Sequence, residues 1–191
     1  MDALPNLAPH ALVDRQKRLG HFRIELDSGK SFDLVPHPQH APAAIRGVQA
    51  RLLGLDADRL LLRWRVDGAR SLILPPAADT ARADGLWRTT CFELFLQPDP
   101  GKAYVEWNFS PSSRWNAYDF AAYREGMTPR PQPLSPETSM RIDPDESALV
   151  FDAALPLAGA PPLPCRLGIS AVIEERGGLK SYWALAHPTS G

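Results

Sequence analysis

Apolar and polar residues alternate along much of this chain with a period of two. The clearest run is DRLLLRWRV, where Leu60, Leu62, Trp64 and Val66 fall on one side and Leu61, Arg63 and Arg65 on the other. Successive side chains of a strand point to opposite faces, so this run predicts a sheet with one buried face. HFRIELD, with Phe22 and Ile24 in phase, and SFDLV, set off from it by Ser-Gly-Lys, predict two earlier strands. AIRGVQARLL, SLIL, LWRTTCFELFL, KAYVEWNF, RWNAYDF, SMRI, SALVFDAAL, CRLGISAVIE and SYWALA follow, separated by turn chemistry such as QPDPGK, SPSS and Asp143-Pro144-Asp145-Glu146. Roughly ten short strands without an amphipathic helix predict an antiparallel sandwich or barrel. The expected core includes Leu60, Leu62, Trp64, Phe92, Leu94, Val105, Trp107, Phe151, Leu167 and Ile169.

Register decides what the other face of the sheet carries. Across QPDPGK, pairing Leu96 with Ala103 sets Leu94 opposite Val105, Glu93 opposite Glu106 and Cys91 opposite Asn108. Across SPSS, pairing Phe109 with Arg114 sets Trp115 opposite Asn108 and Asp119 opposite Tyr104. The non-core face then gathers Trp87, Glu93, Tyr104, Glu106, Asn108, Trp115 and Asp119, and a one-residue slip would reverse any strand. Like charges directly opposite destabilise a hairpin unless a cation or donor intervenes. Arg63 or Arg65 would serve structurally, leaving ordinary sheet surface. A ligand or metal would serve functionally. Planar rings beside amides and carboxylates suit a saccharide, whose ring carbons stack on aromatics while its hydroxyls take hydrogen bonds. Paired carboxylates also admit glycoside hydrolysis.

Composition narrows this further. The chain has 191 residues, a length at which one domain is expected over 1–191, with 1–20 as a peripheral N-terminal segment. Its 20 prolines disfavour long helices and favour short elements joined by turns. A net charge of −1 with interleaved signs argues against a nucleic-acid surface. The first residues lack the pattern of a signal peptide, and no run has the length of a membrane span, so a cytoplasmic, non-membrane protein is expected. Asn108, in Asn-Phe-Ser, is a glycosylation acceptor only on a secretory route. Cys91 and Cys165 stand in apolar runs and read as small buried hydrophobes, with a disulfide between them left open. His37 and His40 have the spacing of a metal pair without a third ligand nearby and read as loop histidines. His187 has Glu174 and Glu175 as candidate acid partners across Gly177-Gly178. Nucleophile-elbow, zincin, P-loop and dinucleotide motifs are absent, so the sequence carries no catalytic signature.

The runs LWRTTCFELFL, YVEWNFSPSSRWNAYDFAAYREGM and SYWALAHP resemble the bacterial DOMON-like proteins related to family 9 carbohydrate-binding modules. The resemblance extends from about Ala44 onward and is strongest between Asp84 and Met127. It implies a jelly-roll-like β-sandwich of two antiparallel sheets and a non-catalytic, carbohydrate-binding module. Members of the wider superfamily bind sugars or haem, some bind structural calcium, and they often stand beside enzyme domains. Trp87 and Trp115 match the group's wording, but neither maps onto a sugar-clamping tryptophan. Met127 and Met140 map onto no axial haem position, which disfavours haem. The readings left open are a saccharide-binding module, a haem module, a glycoside hydrolase and a protein-interaction domain. The partners left open are a saccharide, a neighbouring enzyme and a second copy of the chain.

Overall fold

The computed structural model describes residues 29–55, 58–162 and 165–187. Eleven strands are formed: β1 (Ser31–Pro36), β2 (Gly47–Leu55), β3 (Arg59–Asp67), β4 (Cys91–Pro98), β5 (Tyr104–Phe109), β6 (Trp115–Phe120), β7 (Thr128–Pro129), β8 (Glu137–Ile142), β9 (Ala148–Pro156), β10 (Cys165–Glu175) and β11 (Leu179–Ala184). They hydrogen-bond in the order β7-β6-β5-β4-β10-β11-β1-β2-β3-β9-β8, and every pairing between these strands is antiparallel. Helical structure among the described residues is confined to short 3₁₀ turns at Ala69–Ser71 and Leu86–Arg88. None of those residues forms a helix long and apolar enough to cross a membrane.

The expected two separate sheets are instead one curled sheet. β1 is the joint, pairing with β2 through Ser31–Leu34 and with β11 through Val35 and Pro36. The two wings fold toward each other, and their inward residues form one core. Trp64 and Phe151 of one wing meet Phe92 of the other, with Phe92 and Phe151 stacked at 4.5 Å. Of the expected core residues all are buried except Leu167, which packs on the core half-exposed. Burying large side chains of this kind contributes about 1.5–3 kcal/mol each.

β3 shows why the alternation was legible. Leu60, Leu62, Trp64 and Val66 are buried, while Arg63 turns outward to grip Asp152 of β9 through two hydrogen bonds of 2.6 and 2.8 Å. SLIL, by contrast, is not a strand. Gly68 turns the chain at φ 101°, where a Cβ would lie 2.7 Å from the Ala44 carbonyl oxygen, and the 3₁₀ turn follows. Only Leu72 makes a bridge, to Glu175. The strand expected at HFRIELD lies outside the described residues. Cys91 and Cys165 are buried free thiols, as small hydrophobes should be.

Candidate functional site

The outer face of the β6-β5-β4-β10-β11 wing brings the sequence-predicted polar residues together in part. Leu96 pairs with Val105, so Phe95 faces Glu106 and Glu93 faces Asn108. The expected register is off by two residues. An even shift leaves every side chain on its face, so Cys91, Glu93, Tyr104, Glu106 and Asn108 still share one side.

The next hairpin corrects the reading of β6. Ser110 and Arg114 close the turn, the Ser110 N–H donating to the Arg114 carbonyl at 2.9 Å, and Ser113 takes a φ of 75°. The loop is therefore three residues long with its last residue left-handed, a standard hairpin solution. That changes the parity. Phe109 pairs with Trp115 and Asn108 with Asn116. Trp115 consequently points into the core, where Arg82 covers its ring at 5.0 Å. Asp119 joins it on that side of the strand and accepts a hydrogen bond from Arg130. Asn116, Tyr118 and Phe120 take their places beside Asn108, Glu106 and Tyr104.

A second correction concerns solvent. This face is not wet: Glu93 is 4% exposed, Glu106 8% and Asn108 0%. Leu86 and Trp87, from the 3₁₀ turn before β4, pack on Cys91, Val172 and Tyr182. Phe120 packs on Phe95 and Tyr104. Trp87 itself stays half-buried, its ring edge-on to Tyr118 at 5.9 Å.

Within this cover the polar groups form a short relay. The Asn108 amide donates to Glu106 at 2.8 Å, and its carbonyl accepts the Cys91 thiol at 3.7 Å. The Ser170 hydroxyl donates to Glu93. At the edge, Tyr118 Oη–H and Asn116 Nδ2 both donate to Asp84, at 2.7 and 2.8 Å. Arg63 and Arg65, the expected counter-ions, are spent elsewhere, on Asp152 and on Asp67 and Asp143. The positive charge that reaches both glutamates is that of Arg124, in the loop after β6.

Dehydration is the main reason that both carboxyls hold their protons unusually well. For Glu93 the charge of Glu106 adds to it, while Ser170 and Arg124 oppose it. For Glu106 the opposing groups are Asn108 and Arg124. The two are coupled, so the rise above the ordinary carboxylate range belongs to the pair and not to either residue alone. Burial likewise pushes the Cys91 thiol and the Tyr104 and Tyr118 hydroxyls upward. A face of this kind can donate or accept through its acids, offer amide and hydroxyl groups, and present rings from Trp87, Tyr118 and Tyr182.

Sequence reasoning missed Ser170, Asn116, Tyr118, Tyr182 and Arg124. Ser170 and Tyr182 were within reach, since carrying the outward phase into CRLGISAVIE and SYWALA selects them. Arg124 has no such signal because it stands in an irregular loop.

His37 and His40 lie in the loop after β1, as expected, and His187 joins them, with ring centroids 5.4 and 4.9 Å from His37. His187 Nε2 approaches the Val35 carbonyl at 2.7 Å, and neither Glu174 nor Glu175 is its partner among the described contacts. Among the described residues no group of three or more His, Cys, Asp or Glu side chains is placed to hold a metal ion.

No protein-family model matches this chain, and no curated protein matches it. Solved structures do share its fold. One is a candidate carbohydrate-binding protein from Bacteroides uniformis, with a TM-score of 0.56 and 13% identity over 85% of this chain and 79% of that one. Another is a family 9 carbohydrate-binding module from Caldicellulosiruptor kristjanssonii in complex with cellotriose, with a TM-score of 0.50 and 11% identity over 82% and 72%. At these identities the likeness is one of fold.

Proposed function

We propose that the chain is a non-catalytic carbohydrate-binding module, akin to the DOMON-like relatives of family 9 modules, and that it binds through the outer face around Glu93, Glu106 and Asn108. The observation that carries this reading is the juxtaposition on one face of two dehydrated carboxyls, one amide and the rings of Trp87, Tyr118 and Tyr182. A carboxylate has room for about four hydrogen bonds, and among the described residues each of these accepts one from a side chain. Saccharide hydroxyls would supply the missing donors, and the rings would take the apolar side of the pyranose. The fold shared with a family 9 module in complex with cellotriose supports the same reading. Entry is expected beside Trp87, the half-buried member of the cover. Glu93 and Glu106 project from one side of adjacent strands, which suits holding a ligand better than flanking a scissile bond from opposite sides.

Calorimetry with the purified protein against a panel of mono- and disaccharides tests the proposal. A dissociation constant of about 10⁻³ to 10⁻⁵ M, or roughly −4 to −7 kcal/mol, is expected for at least one sugar. Trp87→Ala and Asn108→Ala should each weaken it about tenfold or more. Failure of every sugar to bind a protein with a cooperative unfolding transition overturns the proposal. Turnover of a glycoside that disappears in Glu93→Gln would replace it with a hydrolase.

A further inference from the structure

We propose that the preferred ligand of this face is cationic, an amino sugar with a free primary amine, chosen over its neutral parent and over its N-acylated form. The inference rests on the saccharide reading and deepens it. Its first ground is the charge laid out around the site. β4 contributes Cys91 and Glu93, β5 contributes Tyr104 and Glu106, β6 contributes Tyr118 and β11 contributes Tyr182. Asp84 approaches from the segment before the 3₁₀ turn and is occupied by Tyr118 and Asn116. Arg124 approaches from the loop after β6 and faces both glutamates electrostatically, with Tyr123 beneath its guanidinium at 5.5 Å. Among the described residues two carboxylates thus face one guanidinium, and with both ionised these groups keep an excess negative charge in a dehydrated setting. A neutral sugar can hydrogen-bond these acids but leaves their mutual repulsion in place. An ammonium carries three donors and one positive charge, so it can bridge both carboxylates and remove that repulsion together.

The second ground is independent of the acids. The Tyr104 hydroxyl is buried, in a residue 3% exposed; the backbone N–H of Arg124 reaches its oxygen, and among the described residues nothing accepts its own proton. It lies on the Glu106 face and feels the charge of that residue. The Trp87 indole N–H is likewise buried and has no partner among the described residues. Orphaned polar atoms of this kind call for an explanation, and a missing ligand is one. The phenol oxygen can accept from a second N–H, while the indole N–H can only donate and suits a sugar hydroxyl. Aromatic rings around the carboxyls add attraction for a cation that an acetamide lacks. The raised proton affinity of the acid pair agrees with this arrangement and makes one more statement: an ammonium binds the ionised pair, so binding expels protons.

The test sets glucosamine, galactosamine and mannosamine each against its neutral parent and its N-acetyl form, by calorimetry at pH 6.5 in two buffers of different ionisation enthalpy. At least one amine should bind about tenfold more tightly than both counterparts. The apparent enthalpy should differ between buffers in the sense of proton release. The amine preference should shrink in Glu106→Gln and in Glu93→Gln, each checked for a cooperative unfolding transition. Equal or tighter binding of the neutral sugars overturns the cationic preference and leaves the saccharide site standing. Amine preference that survives both substitutions moves the cation site elsewhere and also overturns the proposal. No binding by any sugar in the panel overturns both readings.

Discussion

Two places in this molecule bury glutamate, and they are built in opposite ways. Glu175, at the end of β10, is 1% exposed, and its carboxylate accepts the backbone N–H groups of Ala43, Ala44 and Ile45 at 2.9, 2.6 and 3.3 Å. Three fixed dipoles surround one charge, so the anion is held and the segment entering β2 is pinned to the other wing. Glu93 and Glu106 are buried nearly as deeply, yet they sit beside each other and receive neutral side-chain donors, one apiece among the described residues. Burial of an acid is therefore not in itself a mark of function. The donors decide: a carboxylate saturated by backbone amides is a structural pin, and a pair short of donors among the described residues is what the proposed binding site rests on.

Removing the pin should have the largest effect. Glu175→Ala leaves backbone amides without an acceptor and should cost about 3–5 kcal/mol, read from urea denaturation, while Glu175→Gln should lose less because it keeps an acceptor. An Ala variant as stable as the parent would erase the distinction drawn above.

Next in size is the pair of tryptophans that the sequence treated alike. Trp115→Ala should cost about 3 kcal/mol because the ring is core, and it should act on stability rather than on sugar affinity. Trp87→Ala should cost about 1 kcal/mol, since the half-buried ring lies on the cover, and should act chiefly on affinity. Interchanged effects would mean that β6 has the other parity.

The pH dependence of stability sharpens the contrast from the acid pair's side. Its members hold protons well above the ordinary value of 4.5, so between about 4.5 and about 8 the folded state binds more protons than the unfolded one. Their contribution is fully present below the ordinary value and is lost as pH rises through the folded values. The urea midpoint should therefore fall from pH 5 toward pH 8 for the parent, and Glu93→Gln should flatten that slope. A parental slope unchanged in Glu93→Gln would show the pair to be ordinarily ionised. Least affected should be Asp119→Asn, which loosens a half-exposed ion pair to Arg130 on the opposite side of β6. It should shift stability by about 1 kcal/mol or less and leave sugar binding alone.

What the sequence determined by itself was local. Alternation is a steric property of each strand, so the positions of most strands, the core around Trp64, Phe92 and Phe151, and the shared phase of Glu93, Glu106 and Asn108 were all legible without coordinates. The two-residue error at QPDPGK did no harm, because parity survives an even shift. Tertiary structure decided the rest. One left-handed serine, Ser113, shortens the SPSS loop by a residue and turns Trp115 inward and Tyr118 outward. The joint at β1 makes one sheet of two wings. The acceptor for the amides of Ala43, Ala44 and Ile45 lies 130 or more residues along the chain, and part of the cover on the glutamate face comes from a 3₁₀ turn outside its strands. A period of two says which side chains travel together along a strand. What meets them across a loop or across the fold depends on closure geometry and distant contacts, and no local pattern encodes either.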